Sequence, residues 1–313
     1  MPQTSSGLSG TSPAASPQTR EGDARAGFIY AFSAYFLWGF LPIYMKAVAH
    51  ISPAEVIAHR VVWSVPVAGA LLIALGRTAD IRAAIRSPRM LAMAALTACV
   101  ISVNWGIYVW AIAVGRTVET ALGYYINPLV SILLGALVLR EKLDRFQIAA
   151  VALAGVAVGV LTIGSGGLPW VSLVLAFSFA TYGFLRKTLP IGPNQGFFLE
   201  VAILSAPSSV YIAWLLATGE GNFLHTGWYD TVLLLAAGIA TAVPLILYGN
   251  GAKLLRLSTI GIMQYIAPTI IFLIAIFVFG EPFGLYRAIA FLLIWIALAI
   301  YTWPMLSKRR KQA

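Results

Sequence analysis

Charge is scarce in this sequence: 10% of its residues are charged, against about 25% in a soluble globular protein. A chain so poor in charge cannot cover itself with groups that water solvates, which excludes an ordinary soluble domain. Cysteine is almost absent, and the lone Cys99 rules out an intramolecular disulfide while leaving the redox compartment unread. The patterns of enzyme chemistry are missing as well. There is no HExxH, no pair of Asp-rich motifs in the apolar segments, no GxSxG and no Walker loop. Paired carboxylates for acid–base work and clustered metal ligands are likewise missing, so no cofactor and no metal are expected. A signal-peptide pattern is not found either, because the first apolar run is too long and no small-residue cleavage site follows it.

What the sequence has in abundance is apolar surface, with 60% hydrophobic residues. These fall in runs of about 20 residues, enough at about 1.5 Å per residue to cross about 30 Å of hydrocarbon. The reading is an all-α integral membrane protein with ten transmembrane helices, at 28–48, 54–75, 90–113, 118–139, 146–163, 168–187, 195–217, 231–252, 258–279 and 285–305. Residues 1–27 are rich in Ser, Pro, Thr, Gly and Ala and are expected to be a disordered tail. Residues 307–313 form a basic tail.

The stretch from Tyr108 to Glu141 recurs 140 positions later, from Tyr248 to Glu281. Tyr108/Tyr248, Arg116/Arg256, Tyr125/Tyr265, Pro128/Pro268 and Glu141/Glu281 fall on that single offset without a gap. Tyr, Arg, Pro and Glu are scarce in apolar segments, so their coincidence points to two copies of one unit. The units are read as 28–165 and 166–306, five spans each. An odd number of spans makes the second copy enter from the opposite side, which gives two inverted five-helix repeats.

The net charge of +10 invites a nucleic-acid reading, but no basic helix carries it. Seventeen of the Lys and Arg residues fall on one membrane face and only Arg116 and Arg287 on the other, with Lys46 and Arg60 in or near spans. By the positive-inside rule both termini are cytoplasmic, and no nucleic-acid partner is expected. Lys46 is expected to snorkel from the end of its span. Ser52-Pro53-Ala54-Glu55 reads as a capping box opening the second span. Gly155 and Gly159 form a small-residue patch suited to close helix packing within the chain, with a dimer seam as the alternative. Monomer and homodimer both stay open.

Polar groups in lipid are expensive and mark wet interiors. Arg60 lies about 9 Å inward from the end of its span, and its repeat mate is Glu200. Neither can reach the other, so Arg60 is expected to pair with Glu119 in an outer charged layer. Glu200 is expected to pair with Lys253 or Arg256 in the inverted counterpart. Arg60 reads equally as a structural partner and as a group that binds substrate anions. His59, beside it, is expected to bond a neighbouring helix. Tyr124, Asn127 and Pro128 share a face of the fourth span, and Gln264 and Pro268 repeat part of it in the ninth. Two prolines at equivalent positions inside spans point to the repeat interface as the binding site. Asn104, Trp105, Tyr108, Tyr248 and Tyr265 would add polar and aromatic walls, packing being the alternative for the aromatics.

These residues carry a resemblance. Trp38-Gly39 with Lys46, Glu55 with His59-Arg60-Val61-Val62-Trp63-Ser64, Asn104-Trp105 with Trp110-Ala111, and Glu119 before Leu122-Gly123-Tyr124-Tyr125-Ile126-Asn127-Pro128-Leu129 are its first half. Tyr182-Gly183 with Arg186-Lys187, then Gln264-Tyr265-Ile266-Ala267-Pro268-Thr269 before Gly280-Glu281, are its second. Over residues 27–306 the chain resembles the drug/metabolite transporter superfamily, in its EamA-type RarD branch of chloramphenicol-sensitivity proteins. The resemblance implies a ten-helix, two-repeat transporter of the bacterial inner membrane, moving a small molecule by alternating access, often with proton coupling. The small four-helix multidrug relatives carry an essential glutamate in span one, and here that span has no acid. This departure disfavours a cation antiporter, while Arg60 favours an anionic or zwitterionic substrate. The expectation is a non-enzymatic secondary transporter working in the lipid bilayer. Its substrate-contacting residues would be Arg60, Asn104, Tyr108, Glu119, Tyr124, Asn127, Pro128, Tyr248, Gln264 and Tyr265. A membrane scaffold or accessory subunit is the alternative, and an intramembrane enzyme the third reading.

Overall fold

Long apolar runs leave the backbone one choice in hydrocarbon: hydrogen bonds closed within a helix. The computed structural model describes residues 17–138, 140, 142–188, 190–255 and 257–310, and among them every regular element is helical. In chain order these are α1 (Pro17–Ala47), α2 (Pro53–Ala74), α3 (Thr78–Ile85), α4 (Pro88–Ala113), α5 (Thr117–Val138) and α6 (Arg145–Ser165). They continue as α7 (Trp170–Thr188), α8 (Pro193–Thr218), α9 (Trp228–Leu254), α10 (Leu257–Met263), α11 (Ile266–Leu273) and α12 (Leu285–Arg310). Eight are long and apolar enough to cross a membrane: α1, α2, α4, α5, α6, α8, α9 and α12. Trp170–Arg186 and Ile266–Val278 are shorter apolar helices. The protein is a multi-pass membrane protein.

Local chemistry fixes several helix ends. Asp144 caps α6 by accepting from the Phe146 and Gln147 N–H groups, and Gln147 returns a bond to the Asp144 backbone. Ser87 caps α4 ahead of Pro88. Ser52 does not cap α2 with its side chain, and Glu55 is turned to another task described below. Helix α1 begins at Pro17, well before the expected start of the first span. Residues 1–16 and 311–313, at the two tails, lie outside the described residues.

The ninth apolar run, read as one helix over 258–279, is broken. Helix α10 stops at Met263, Gln264 and Tyr265 turn, α11 starts at Ile266, and a π-helical stretch follows over Ile274–Val278. Pro268 lies just past the break and favours it. Its ring displaces the carbonyl four residues back, at Gln264, and it offers that carbonyl no N–H.

Packing crosses between the two halves of the chain. Helix α1 lies on α9 and α11, while α7 lies on α4 and α5; α2 packs on α8 and α9, and α6 on α12. Gly238 permits the α2–α9 contact, since a Cβ there would sit 2.2 Å from the Trp63 carbonyl carbon. The outward face of α1 is a ladder of exposed rings, Phe28, Phe32 and Phe36 stacked in turn and Phe40 tilted against Phe36. Both Gly155 and Gly159 are exposed, and among the described residues nothing lies within 4 Å of where a Cβ would stand at either. The expected intrachain helix contact is therefore not made there. Lys46 is exposed, its ammonium 5.6 Å from the centre of the Phe279 ring.

Candidate functional site

Arg60 sits in the third turn of α2 and is 97% buried, at 3% exposure. A guanidinium so far from water needs partners for five N–H donors. Its Nε donates to Thr241 Oγ1 on α9 at 3.0 Å, and its plane lies 5.1 Å from the centre of the Trp105 ring on α4. Thr241 in turn donates to the Ala237 carbonyl, so its hydroxyl is aligned to accept from Arg60. Arg60 Nη1 is left without a protein partner.

Helices α4 and α5 supply the polar groups on the other side of Arg60. Asn104 is 1% exposed and donates from Nδ2 to the Leu175 carbonyl at 3.1 Å and to Ser178 Oγ at 2.9 Å, both on α7. Its Oδ1 accepts from the Tyr124 hydroxyl at 3.2 Å. The Tyr124 ring stands 5.8 Å from that of Tyr108 and edge-on to Phe179 at 5.8 Å. The Tyr108 hydroxyl is buried without a partner. Tyr44 donates to the Leu233 carbonyl at 2.6 Å. The result is a buried polar cluster between α2, α4, α5 and α9 that brings together a cation, an amide and several phenols.

Of the residues expected at the site, Arg60, Asn104, Tyr108 and Tyr124 meet here. Tyr248 packs instead with Tyr35 and Trp38, against α1. Tyr265 stacks on Tyr125 at 6.3 Å, and Gln264 lies in the turn before it. Pro128 is buried in mid-α5, and Asn127 Oδ1 is buried without a partner. Thr241 was not expected, because a threonine in an apolar run has an ordinary use in bonding its own helix.

Glu119 is not Arg60's partner. Arg116, three residues before it, grips it with two bonds of 2.7 and 2.8 Å, and Arg287 Nη2 lies 4.0 Å away. A residue three positions back shares the helix face, and that proximity wins over a separate helix. Glu200 bonds the Tyr182 hydroxyl at 3.0 Å and Arg186 at 3.4 Å, both on α7. The side chain of Lys253, and Arg256 altogether, lie outside the described residues. His59 does not bond a neighbouring helix through Nδ1, which accepts from Trp63 Nε1 on the next turn of α2 at 2.9 Å. An imidazole accepting at Nδ1 is neutral with its proton on Nε2. Glu55, 1% exposed, accepts from the Asn222 and Phe223 N–H groups and the Asn222 amide, across to the α8–α9 loop.

An all-helical membrane bundle that closes a cation and phenols inside its core has the make-up of a transporter, since buried charge in lipid marks a pathway. A model of the EamA-like transporter family matches residues 25–163. The chain is 45% identical to Protein RarD of Streptomyces exfoliatus, over 93% of this chain and 92% of that one. It is 41% identical to an uncharacterized transporter of Vibrio cholerae, over 90% of this chain and 93% of the relative. A solved structure titled "Crystal structure of protein" shares the fold at a TM-score of 0.56, with 21% identity, covering 94% of this chain and all of its own. The protein is a membrane transporter. It belongs to the EamA-like transporter family, in the RarD branch.

Proposed function

We propose that the protein is a secondary transporter that carries a small anionic or zwitterionic metabolite or drug-like molecule by alternating access, and that the substrate is held in a central chamber that forms around Arg60 during the transport cycle. The observation that carries this reading is the pair of unsatisfied groups there: Arg60 Nη1 and the Tyr108 hydroxyl are both buried and both lack a partner. A buried donor left unmade costs about 1–3 kcal/mol, more when charged, so a carboxylate or phosphate arriving between them would recover that cost. Trp105 and Tyr124 would flank an apolar or aromatic portion of the same molecule.

The architecture in this reading is ten spans in two inverted five-helix repeats, 28–165 and 166–306, in the bacterial inner membrane with both termini cytoplasmic. Two features support it. The packing exchanges between halves, α1 on α9 and α11 matching α7 on α4 and α5. The broken α10–α11 segment is the kind of discontinuous helix that secondary transporters place beside their sites. Protons are the proposed coupling ion.

The test is a thermal-shift screen of the purified protein with amino acids, organic acids, nucleotide sugars and cationic drugs, followed by uptake into vesicles. An anionic or zwitterionic compound should stabilise the wild type. Arg60→Lys should fold but lose most of that shift, because a point charge lacks the planar fork that grips an oxyanion. Stabilisation by cations alone, or an undiminished response in Arg60→Lys, would reject the assignment. A hit that is never transported would favour the accessory-subunit reading.

A further inference from the structure

A second polar site lies away from the Arg60 cluster. The first turns of α5 and α12 and the α6–α7 connection enclose an open cleft of about 360 Å³, with Arg116, Glu119 and Arg287 on its walls. Its floor is apolar, including Leu122, Leu161 and Phe291. On the walls two guanidiniums face one carboxylate, while the neighbouring Glu281 carboxylate is buried and already occupied by the Thr117 and Val118 N–H groups at 2.7 and 2.8 Å. Arg116 is fixed in place by its two hydrogen bonds to the Glu119 carboxylate and by the rings of Trp110 and Trp170, whose centres lie 5.7 and 5.3 Å from its guanidinium carbon. Arg287 is anchored through Nη1 to the Pro282 carbonyl at 2.6 Å. Both keep exposed donor surface, with side chains 31% and 29% accessible.

The cleft is not an antechamber to Arg60. Leu122 lines it, whereas Tyr124, two residues and about 200° further round α5, turns to Asn104 in the cluster. Its rim is instead exposed and apolar: Leu168 is 57% exposed, and Leu285 and Tyr286, which precede Arg287 in the first turn of α12, are 72% and 48% exposed. Trp170, 39% exposed, stands at the end of its helix, where the aromatic belt of a membrane protein lies.

We propose that this cleft binds the phosphate-bearing headgroup of an anionic phospholipid from the leaflet on that side. Arg116 and Arg287 hold the phosphate, and the glycerol and upper acyl segments lie over Leu122, Leu161 and Phe291. A soluble anion would be served by the arginines alone and would gain nothing from the apolar floor, whereas a lipid uses both. Glu119 limits the affinity by occupying Arg116.

The experiment uses the full-length protein in an uncharged detergent, with short-chain phosphatidylglycerol, phosphatidylcholine of the same chain length, and glycerol phosphate without chains. Phosphatidylglycerol should raise the melting temperature by about 3 °C, and the other two should not. Arg287→Gln should abolish most of the rise. Arg82→Gln, on the exposed face of α3, should keep it. Glu119→Gln should enlarge it, a direction that misfolding does not mimic and that serves if Arg287→Gln fails to fold. An equal rise with phosphatidylcholine, a rise with glycerol phosphate alone, loss of the rise in Arg82→Gln, or a smaller rise in Glu119→Gln would each overturn the proposal.

Discussion

Glu55 Oε1 accepts the Asn222 N–H at 2.7 Å across 167 positions of sequence, joining the first turn of α2 to the α8–α9 loop. The same carboxylate takes the Asn222 amide at 2.9 Å and the Phe223 N–H at 3.0 Å. Phe223 is thereby laid against His59, ring centres 4.6 Å apart, and the loop closes over the turn of α2 that precedes Arg60. Glu55→Ala should cost about 3 kcal/mol, since it strands three donors around a site that is 1% exposed. Glu55→Gln, which keeps an acceptor oxygen, should cost less. Thermal unfolding of the two variants ranks them, and a Glu55→Ala protein as stable as wild type would deny the loop its anchor.

That contact was invisible in the sequence for a definite reason. Ser52-Pro53-Ala54-Glu55 is what a capping box looks like, and the local pattern does not reveal that a loop 167 residues away offers better donors. The spans were legible because apolar length is a one-dimensional property. Arg60 was legible as a costly buried charge, but its partner was not: Thr241 lies 181 positions off in a helix where threonine is unremarked. Glu119 carried a readable signal that a distant pairing overrode, an arginine three residues before it on the same face. The Gly155/Gly159 spacing promised an intrachain contact that no helix makes among the described residues.

Pro268 and Pro128, 140 positions apart on the offset of the proposed repeat, have different outcomes. The first lies just past a broken helix at Gln264–Tyr265, whereas α5 runs unbroken through the second. Pro268→Ala gives Gln264 a backbone donor and should fuse α10 to α11. Transport should then fall about tenfold, equivalent to about 1.4 kcal/mol on the limiting step, at normal abundance. Pro128→Ala should do less. Initial rates in vesicles, normalised to protein content, decide it; equal effects would make the break irrelevant to transport.

The proposed orientation rests on the distribution of Lys and Arg. A reporter active only in the cytoplasm should work when fused after Arg89, Lys142 or Lys187 and fail after Gly115, Gly167 or Gly227. Activity after Gly227 equal to that after Lys187 would refute the ten-span arrangement.

Arg60 and Glu119 belong to separate structures, one to the central cluster and one to the peripheral cleft, and their energies should show it. Arg60 is tied to Thr241 and Trp105, Glu119 to Arg116 and Arg287, with no partner in common. Substitutions without shared partners add within about 0.5 kcal/mol. Arg60→Ala and Glu119→Gln should therefore lower stability independently, and the double variant should be worse than either single. Arg116→Ala with Glu119→Gln should instead show coupling of about 0.5–1 kcal/mol, the range for a well-formed but partly accessible ion pair. The two cycles are read from unfolding in denaturant with the same detergent throughout. Rescue of Arg60→Ala by Glu119→Gln would mean that the two charges do meet in a populated state, and that the division between cluster and cleft is not kept through the transport cycle.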